Sequence, residues 1–236
     1  MNTDSSNPVA LVTGGGSGIG RELVHLLLEN DHDVVVVGRT ESTLRETAEA
    51  APDRVLVVST DIRRPESCKD VVERALAHHG RIDVLVNNAG TAPLEKIQDT
   101  SPDVIQDCLE INLAAPMHLL VGCWPHFISQ RSGCVINISS MASIDPFPGF
   151  LAYAASKSGL DSVTRSIIAE GATFGIRGFT INPGAVETSM LRANFNKTFL
   201  PEEFALHPEE IARFAIECIN GEHDPKQGSQ NQISRT

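Results

Sequence analysis

Aromatic residues are scarce in this 236-residue chain, which has nine Phe, one Trp and one Tyr. Any phenol chemistry therefore falls to Tyr153. The five cysteines (Cys68, Cys108, Cys123, Cys134 and Cys218) are odd in number, form no C-x-x-C pair and sit in a chain too long to need stapling. They read as reduced thiols of a cytoplasmic protein. None of the eight histidines falls in an H-E-x-x-H pattern or a Cys/His cluster, which argues against a metal site. Lys and Arg number 19 against 30 Asp and Glu, and the net charge of −11 argues against nucleic acid or an anionic membrane as partner. Small molecules remain. No run approaches the ~18 apolar residues of a membrane helix, and the first seven residues are polar, with no apolar leader core. The sequence predicts a soluble chain that is not exported.

What is present is alternation. Short β-branched runs at Val9–Thr13, Asp33–Val37, Arg54–Val58, Asp83–Val86, Cys134–Ile138 and Gly178–Ile181 are each followed by a helix-like segment. Runs as apolar as Val34–Val37 need burial on both faces, the condition of a parallel sheet covered by helices. Ser101 with Pro102 opens one helix, and Pro208 with Glu209 and Glu210 opens another. The expected fold class is α/β: one Rossmann-type domain over residues 1–236, with a doubly wound, mostly parallel sheet of six to seven strands and helices on both faces. Residues 1–7 read as a flexible N-terminus, 185–208 as a substrate-loop region, and 221–236 as a polar tail supporting at most a short, weak strand.

The first strand runs into Thr13-Gly-Gly-Gly-Ser-Gly-Ile-Gly20 and then a helical pattern. Glycines at a strand-to-helix turn let backbone approach a pyrophosphate, and the helix N-terminus offers free N–H groups. A dinucleotide site is the physical reading, with Thr13, Gly14, Gly16, Ser17, Gly18, Ile19 and Gly20 as its residues. The second strand ends in Gly38-Arg39-Thr40, where NAD-binding units carry an acid for the ribose 2′-hydroxyl. Arg39 instead offers a planar fork of donors suited to a 2′-phosphate, favouring NADP(H) over NAD(H), with Thr40 beside it.

Tyr153 and Lys157 stand four residues apart, one helical turn, and so share a face; Ser140 precedes the tyrosine by thirteen residues. The pair alone fits either acid–base chemistry or an amphipathic helix with a half-buried tyrosine. In order, T-G-x-x-x-G-x-G at Thr13–Gly20, N-N-A-G at Asn87–Gly90, Asn112, Ser140, Y-x-x-x-K at Tyr153–Lys157 and P-G at Pro183–Gly184 resemble the short-chain dehydrogenase/reductase family, in its compact single-domain branch. The resemblance implies a catalytic set of Asn112, Ser140, Tyr153 and Lys157. It also implies cofactor contacts from Asp61 and Ile62 at the adenine, from Asn88, Ala89 and Gly90 beside the central sheet, from Lys157 at the nicotinamide ribose, and from Pro183, Gly184, Val186 and Thr188 at the nicotinamide. Asn112 would hold a water that relays protons to Lys157. Ser139, one residue from the family spacing, reads as structural.

These residues suit hydride transfer between a carbonyl and an alcohol, which needs a donor on the carbonyl oxygen and a proton source. Lowering a phenol pKa of ~10 by about three units takes about 4 kcal/mol. A lysine charge about 4 Å away at an effective dielectric of about 20 supplies that much. A dehydratase or epimerase of the same fold, or a silent NADP(H)-binding regulator, are the alternatives.

Substrate identity is expected in Gly184–Pro208 and Met141–Phe150, whose Phe147, Phe150, Met190, Leu191, Phe195 and Phe199 either line an apolar pocket or pack a lid on the sheet. Leu113–Gln130 and Tyr153–Gly171 resemble the family's dimer helices, implying a homodimer or a homotetramer. Trp124 fits that interface or the monomer core. The chain end lacks the family's V-D-G-G-like final strand, which bears on the tetramer.

Overall fold

The computed structural model describes residues 7–235; the segment expected to be flexible lies, but for Asn7, outside them. Seven strands form one sheet in the order β3-β2-β1-β4-β5-β6-β7, and all six pairings are parallel. They are β1 (Val9–Thr13), β2 (Asp33–Gly38), β3 (Val55–Ser59), β4 (Val84–Asn87), β5 (Gly133–Ile138), β6 (Ile176–Pro183) and β7 (Gln230–Ile233). Between them run α1 (Gly18–Glu29), α2 (Glu41–Ala48), α3 (Pro65–His79), α4 (Pro102–Leu109), α5 (Ala115–Gln130), α6 (Leu151–Gly171), α7 (Ser189–Asn194) and α8 (Pro208–Ile219).

Strand alternation divides the core. In β1 and β2, Ala10, Val12, Val34 and Val36 face one apolar cluster with α1 and α8, while Val9, Leu11, Val35 and Val37 face the other with α3 and α5. Both faces are covered, so the strands are apolar at every position rather than every second one. Truncating Leu11, fully buried and paired to Val35 and Leu85, falls in the class that costs about 2–5 kcal/mol. Helix ends follow local chemistry. Ser101 Oγ accepts the Val104 N–H at 3.3 Å ahead of Pro102, and Glu210 accepts the His207 N–H at 2.6 Å to open α8.

Three points bear on the sequence reading. Most strands differ from the expected bounds by a residue or two, because Gly38, Ser59, Asn87 and Gly133 pair in the sheet without carrying a hydrophobic signal. The polar tail does form a strand: β7 pairs with β6, and Asn231 Nδ2 donates to the Thr180 carbonyl at 2.8 Å. Backbone pairing and one buried amide replace the missing final motif. Third, the continuous helical run Pro102–Gln130 is long and apolar enough to cross a membrane by length and composition, although Glu110, Asn112, His118 and His126 break it into shorter apolar runs. It is the crossover between β4 and β5 of one sheet, with Leu119, Cys123 and Phe127 fully buried. Trp124 is partly buried against the core.

All five cysteines are buried and free. Burial raises each thiol, Cys68 and Cys108 to about 11 and Cys123, Cys134 and Cys218 to about 12, which leaves them unreactive.

His79, at the end of α3, is 5% exposed, with neither ring nitrogen hydrogen-bonded and Asp33 Oδ2 at 4.0 Å. Burial lowers its pKa, His78 adds to the effect and Asp33 opposes it. The unfolded chain takes up this proton near ~6.5, the folded chain only at lower pH, so the contribution to stability is whole above ~6.5 and is lost as pH falls below it. Denaturant midpoints measured from about pH 7 down to about pH 5.5 should drop, and less so for His79→Gln. Equal drops would remove His79 as the cause.

Candidate active site

At the carboxyl ends of β1 and β4 the backbone is drawn tight. Thr13 Oγ1 donates to the Val86 carbonyl (3.2 Å) and accepts the N–H groups of Asn88 (3.0 Å) and Ala89 (3.1 Å). Asn88 Nδ2 returns bonds to the carbonyls of Thr13 (2.9 Å) and Gly14 (3.2 Å). Close approach makes glycine necessary here. A Cβ on Gly14, whose φ is +67°, would fall 2.9 Å from Ala89 Cα, and one on Gly20 would fall 2.3 Å from the Gly14 carbonyl oxygen. Ser17 precedes α1 without capping it by its side chain, so the first-turn N–H groups are left for another acceptor.

A cavity of about 750 Å³ opens beside this loop. Its wall holds Gly14, Ser17, Gly18 and Ile19 of the loop, and Arg39 at the end of β2. Asn88, Ala89 and Gly90 follow, then Pro183, Gly184, Val186 and Thr188, the last with its Cγ2 3.1 Å from where a Cβ on Gly18 would sit. Gly16, Gly20 and Thr13 stand behind the wall as its support: Arg21 Nη2 donates to the Gly16 carbonyl at 2.6 Å. A cradle that excludes Cβ atoms, leads to uncapped N–H groups and ends at an arginine fits a dinucleotide.

Four of the residues expected at the cofactor are otherwise engaged here. The Asp61 carboxylate is gripped by Arg63, with Nη2 to Oδ2 at 2.6 Å. The hydrogen bond to Arg63 is the main reason its pKa is lowered. Asp61 is absent from the cavity wall. The Ile62 side chain lies in the core, because the chain turns there into α3. Thr40 sits outside the wall, its carbonyl accepting the Thr43 hydroxyl at 3.0 Å. The Thr188 hydroxyl donates to the Val186 carbonyl and accepts the Leu191 N–H, capping α7.

Ser140, Tyr153 and Lys157 meet on the floor of the same cavity. Tyr153 and Lys157 stand on successive turns of α6, and Ser140 begins the short turn after β5. Lys157 is 3% exposed. Its Nζ donates to the Ile138 carbonyl at 2.7 Å and stands 5.9 Å from the centre of the Tyr153 ring. Burial brings Lys157 down to about 8, against the pull of Asp161 and Cys108. Burial likewise raises Tyr153; a hydrogen bond with Ser140 offsets part of this, and Cys108 adds to it. The Lys157 ammonium is turned to a carbonyl, and desolvation of the phenolate is the largest influence on the phenol. A phenol that keeps its proton is suited to donating one.

Asn112 is fully buried in a single π-helical turn, Glu110–Ala114. Its side chain donates to the Thr91 carbonyl and to Ser156 Oγ, both at 2.9 Å, and accepts the Thr91 N–H at 2.8 Å. With both amide protons committed, the side chain holds the loop after Gly90 to the Tyr153–Lys157 helix. Ser139 Oγ donates to the Lys157 carbonyl at 3.3 Å, a scaffold contact.

A polar clamp that the motifs did not reveal lies behind this floor. Asp161, one turn beyond Lys157 and 3% exposed, accepts from Ser143 Oγ (2.7 Å) and from Gln230 Nε2 of β7 (2.7 Å). Asn182 Nδ2 of β6 stands 3.3 Å from the same carboxylate oxygen. The helix of Tyr153, the turn of Ser140 and the last two strands are tied at one carboxylate. Asp161 could have been noticed from its i+4 spacing to Lys157; its three partners are distant in sequence and left no signal.

A family model described as short chain dehydrogenase matches residues 8–198. An uncharacterised oxidoreductase of Staphylococcus epidermidis is 32% identical over 226 residues, 96% of this chain and 95% of its own length. Among solved structures, the 3-ketoacyl-(acyl-carrier-protein) reductase of Brucella melitensis complexed with NADH superposes with a TM-score of 0.90 at 27% identity, covering 96% of both chains. An actinorhodin polyketide ketoreductase variant with NADPH gives 0.90 at 25% identity, covering 99% of this chain and 98% of that one. With the matching family model spanning most of its length, this chain belongs to the short-chain dehydrogenase/reductase family of oxidoreductases.

Proposed function

We propose that the protein is an NADP(H)-dependent oxidoreductase that interconverts a ketone or aldehyde and its alcohol. The observation that carries this is the convergence of Ser140, Tyr153 and Lys157 on the floor of the cavity whose wall is the glycine loop. Ser140 Oγ donates to the carbonyl oxygen, and Tyr153 delivers a proton as negative charge develops there. Reduced nicotinamide, when bound, supplies the hydride. The Lys157 ammonium has donors beyond the one on Ile138 to hold the ribose, and its charge favours proton loss from the phenol. Asn112, Asp161 and Ser139 keep these groups in register.

Arg39 favours the 2′-phosphate. The two solved structures named above carry NADH and NADPH respectively, so the fold serves both and the residue at the end of β2 decides. Following reduced nicotinamide absorbance over a panel of ketones and aldehydes should give consumption with NADPH well above that with NADH. Arg39→Ala should cost NADPH about tenfold to a hundredfold in kcat/KM, the ~1.5–3 kcal/mol of a hydrogen bond to a charged group, and leave NADH nearly unchanged. Equal use of both cofactors with no effect of Arg39→Ala defeats the assignment; cofactor binding without net consumption points to a dehydratase or epimerase.

The protein also acts as a homodimer in this reading. Ile105, Leu109, Met117 and Val121 on α4 and α5 are 39%, 40%, 40% and 70% exposed, an apolar row that a second copy covers. Light scattering should give twice the chain mass, and Val121→Lys should return it to one. A monomeric wild type removes the dimer.

A further inference from the structure

Beyond the nucleotide, the cavity ends in rings. Phe147 meets Phe195 edge to face at 5.4 Å, Phe195 stacks with Phe199 at 5.3 Å, and Phe150 lies 5.2 Å from the Tyr153 ring. The lid bearing Phe195 and Phe199 is held in shape: Arg192 pairs with Glu187 and donates to the carbonyls of Leu200 (2.7 Å) and Phe195 (3.3 Å). The charged residues of the cavity wall are Arg39, Lys157 and Asp145. Arg39 lies at the nucleotide end, Lys157 is bonded to Ile138 below the phenol, and Asp145, at the ring end, is an anion. Both cations of the lid are already neutralised, Arg192 by Glu187 and Lys197 by Glu202 at 2.5 Å.

We infer that the substrate is a neutral carbonyl compound with a flat, aromatic ring next to its C=O, and that keto acids are refused. Offset and edge-to-face contacts with Phe147, Phe150 and Phe195 hold the ring while the carbonyl oxygen reaches Ser140 and Tyr153. A carboxylate at the same position would be desolvated among phenylalanines with no cation to pair, and Asp145 would repel it. This rests on the carbonyl-reductase reading for the identity of the reacting group, but the recognition of ring and charge stands on the cavity wall.

The test uses matched compounds. Calorimetric titration of the NADP⁺-loaded protein with methyl phenyl carbinol and with mandelate compares one ring with a methyl or a carboxylate beside the hydroxyl. Reduction of acetophenone and of phenylglyoxylate compares the corresponding carbonyls. The neutral member should bind and react at least about tenfold better, and Phe195→Ala should weaken the carbinol about tenfold while NADP⁺ affinity stays put. Phe195→Leu, which keeps the apolar volume and loses the ring, serves if the alanine variant unfolds the lid. Mandelate binding as tightly as the carbinol, or unchanged affinity in both variants, overturns the inference. If the neutral preference appears in binding while no carbonyl is reduced, the pocket assignment stands and the oxidoreductase chemistry falls.

Discussion

Tyr153→Phe is expected to lower turnover by about 10²–10⁴, the range attributed to a positioned general acid, with NADPH affinity held within a few fold. The substitution removes one oxygen from a ring packed against Phe150 at 5.2 Å, so the fold has no reason to change. Steady-state rates and a cofactor titration on the same preparation separate the two effects. Substantial residual activity would mean that the proton comes from elsewhere. The wild-type pH profile is part of the same expectation. Burial holds the Tyr153 proton, so the phenol stays an acid through neutral pH. Lys157 sits at about 8; it is charged below that value, and its contribution is lost as pH rises through it. In the reducing direction kcat/KM should be flat toward neutral pH and fall on the alkaline side near that value.

Gly20→Ala is the second large effect. Its new methyl would lie 2.3 Å from the Gly14 carbonyl oxygen and 2.5 Å from Asn88 Nδ2. The first is backbone, locked to β1 by the Thr13 and Asn88 bonds, so α1 would have to move off the loop. Overpacking of this kind costs about 1–3 kcal/mol or more, and it strikes the surface proposed to accept the pyrophosphate. Thermal unfolding with and without NADPH should show a lower midpoint for the variant and little of the cofactor-induced rise seen in the wild type. A wild-type-like rise would show that the loop is not the nucleotide cradle.

Much of this was legible in the chain because the relevant signals are local. Val34–Val37 announces a strand buried on both faces, and Tyr153–Lys157 announces one face of one helix. The six strand positions follow from such runs. What stayed hidden depends on atoms brought from far along the chain. Lys157 gives no sign in the sequence that its ammonium meets the Ile138 carbonyl, nineteen residues away. Gln230 carries no motif, yet it closes the clamp on Asp161 across 69 positions. β7 was faint for a related reason: its pairing is made by backbone groups, to which composition is blind.

The π turn at Glu110–Ala114 fixes a rotational phase. Leu109 and Met117 are eight positions apart, which on an unbroken α-helix would set them about 80° apart in azimuth at ~100° per residue. One surplus residue in the wide turn takes up about 100° of that winding, leaving them within about 20°. The pairs Ile105/Leu109 and Met117/Val121 therefore form a single meridian instead of two divergent ones. The same surplus residue directs Asn112 inward to Thr91 and Ser156. The seating of Asn112 on the inside and a continuous apolar edge on the outside are thus two readings of one winding number.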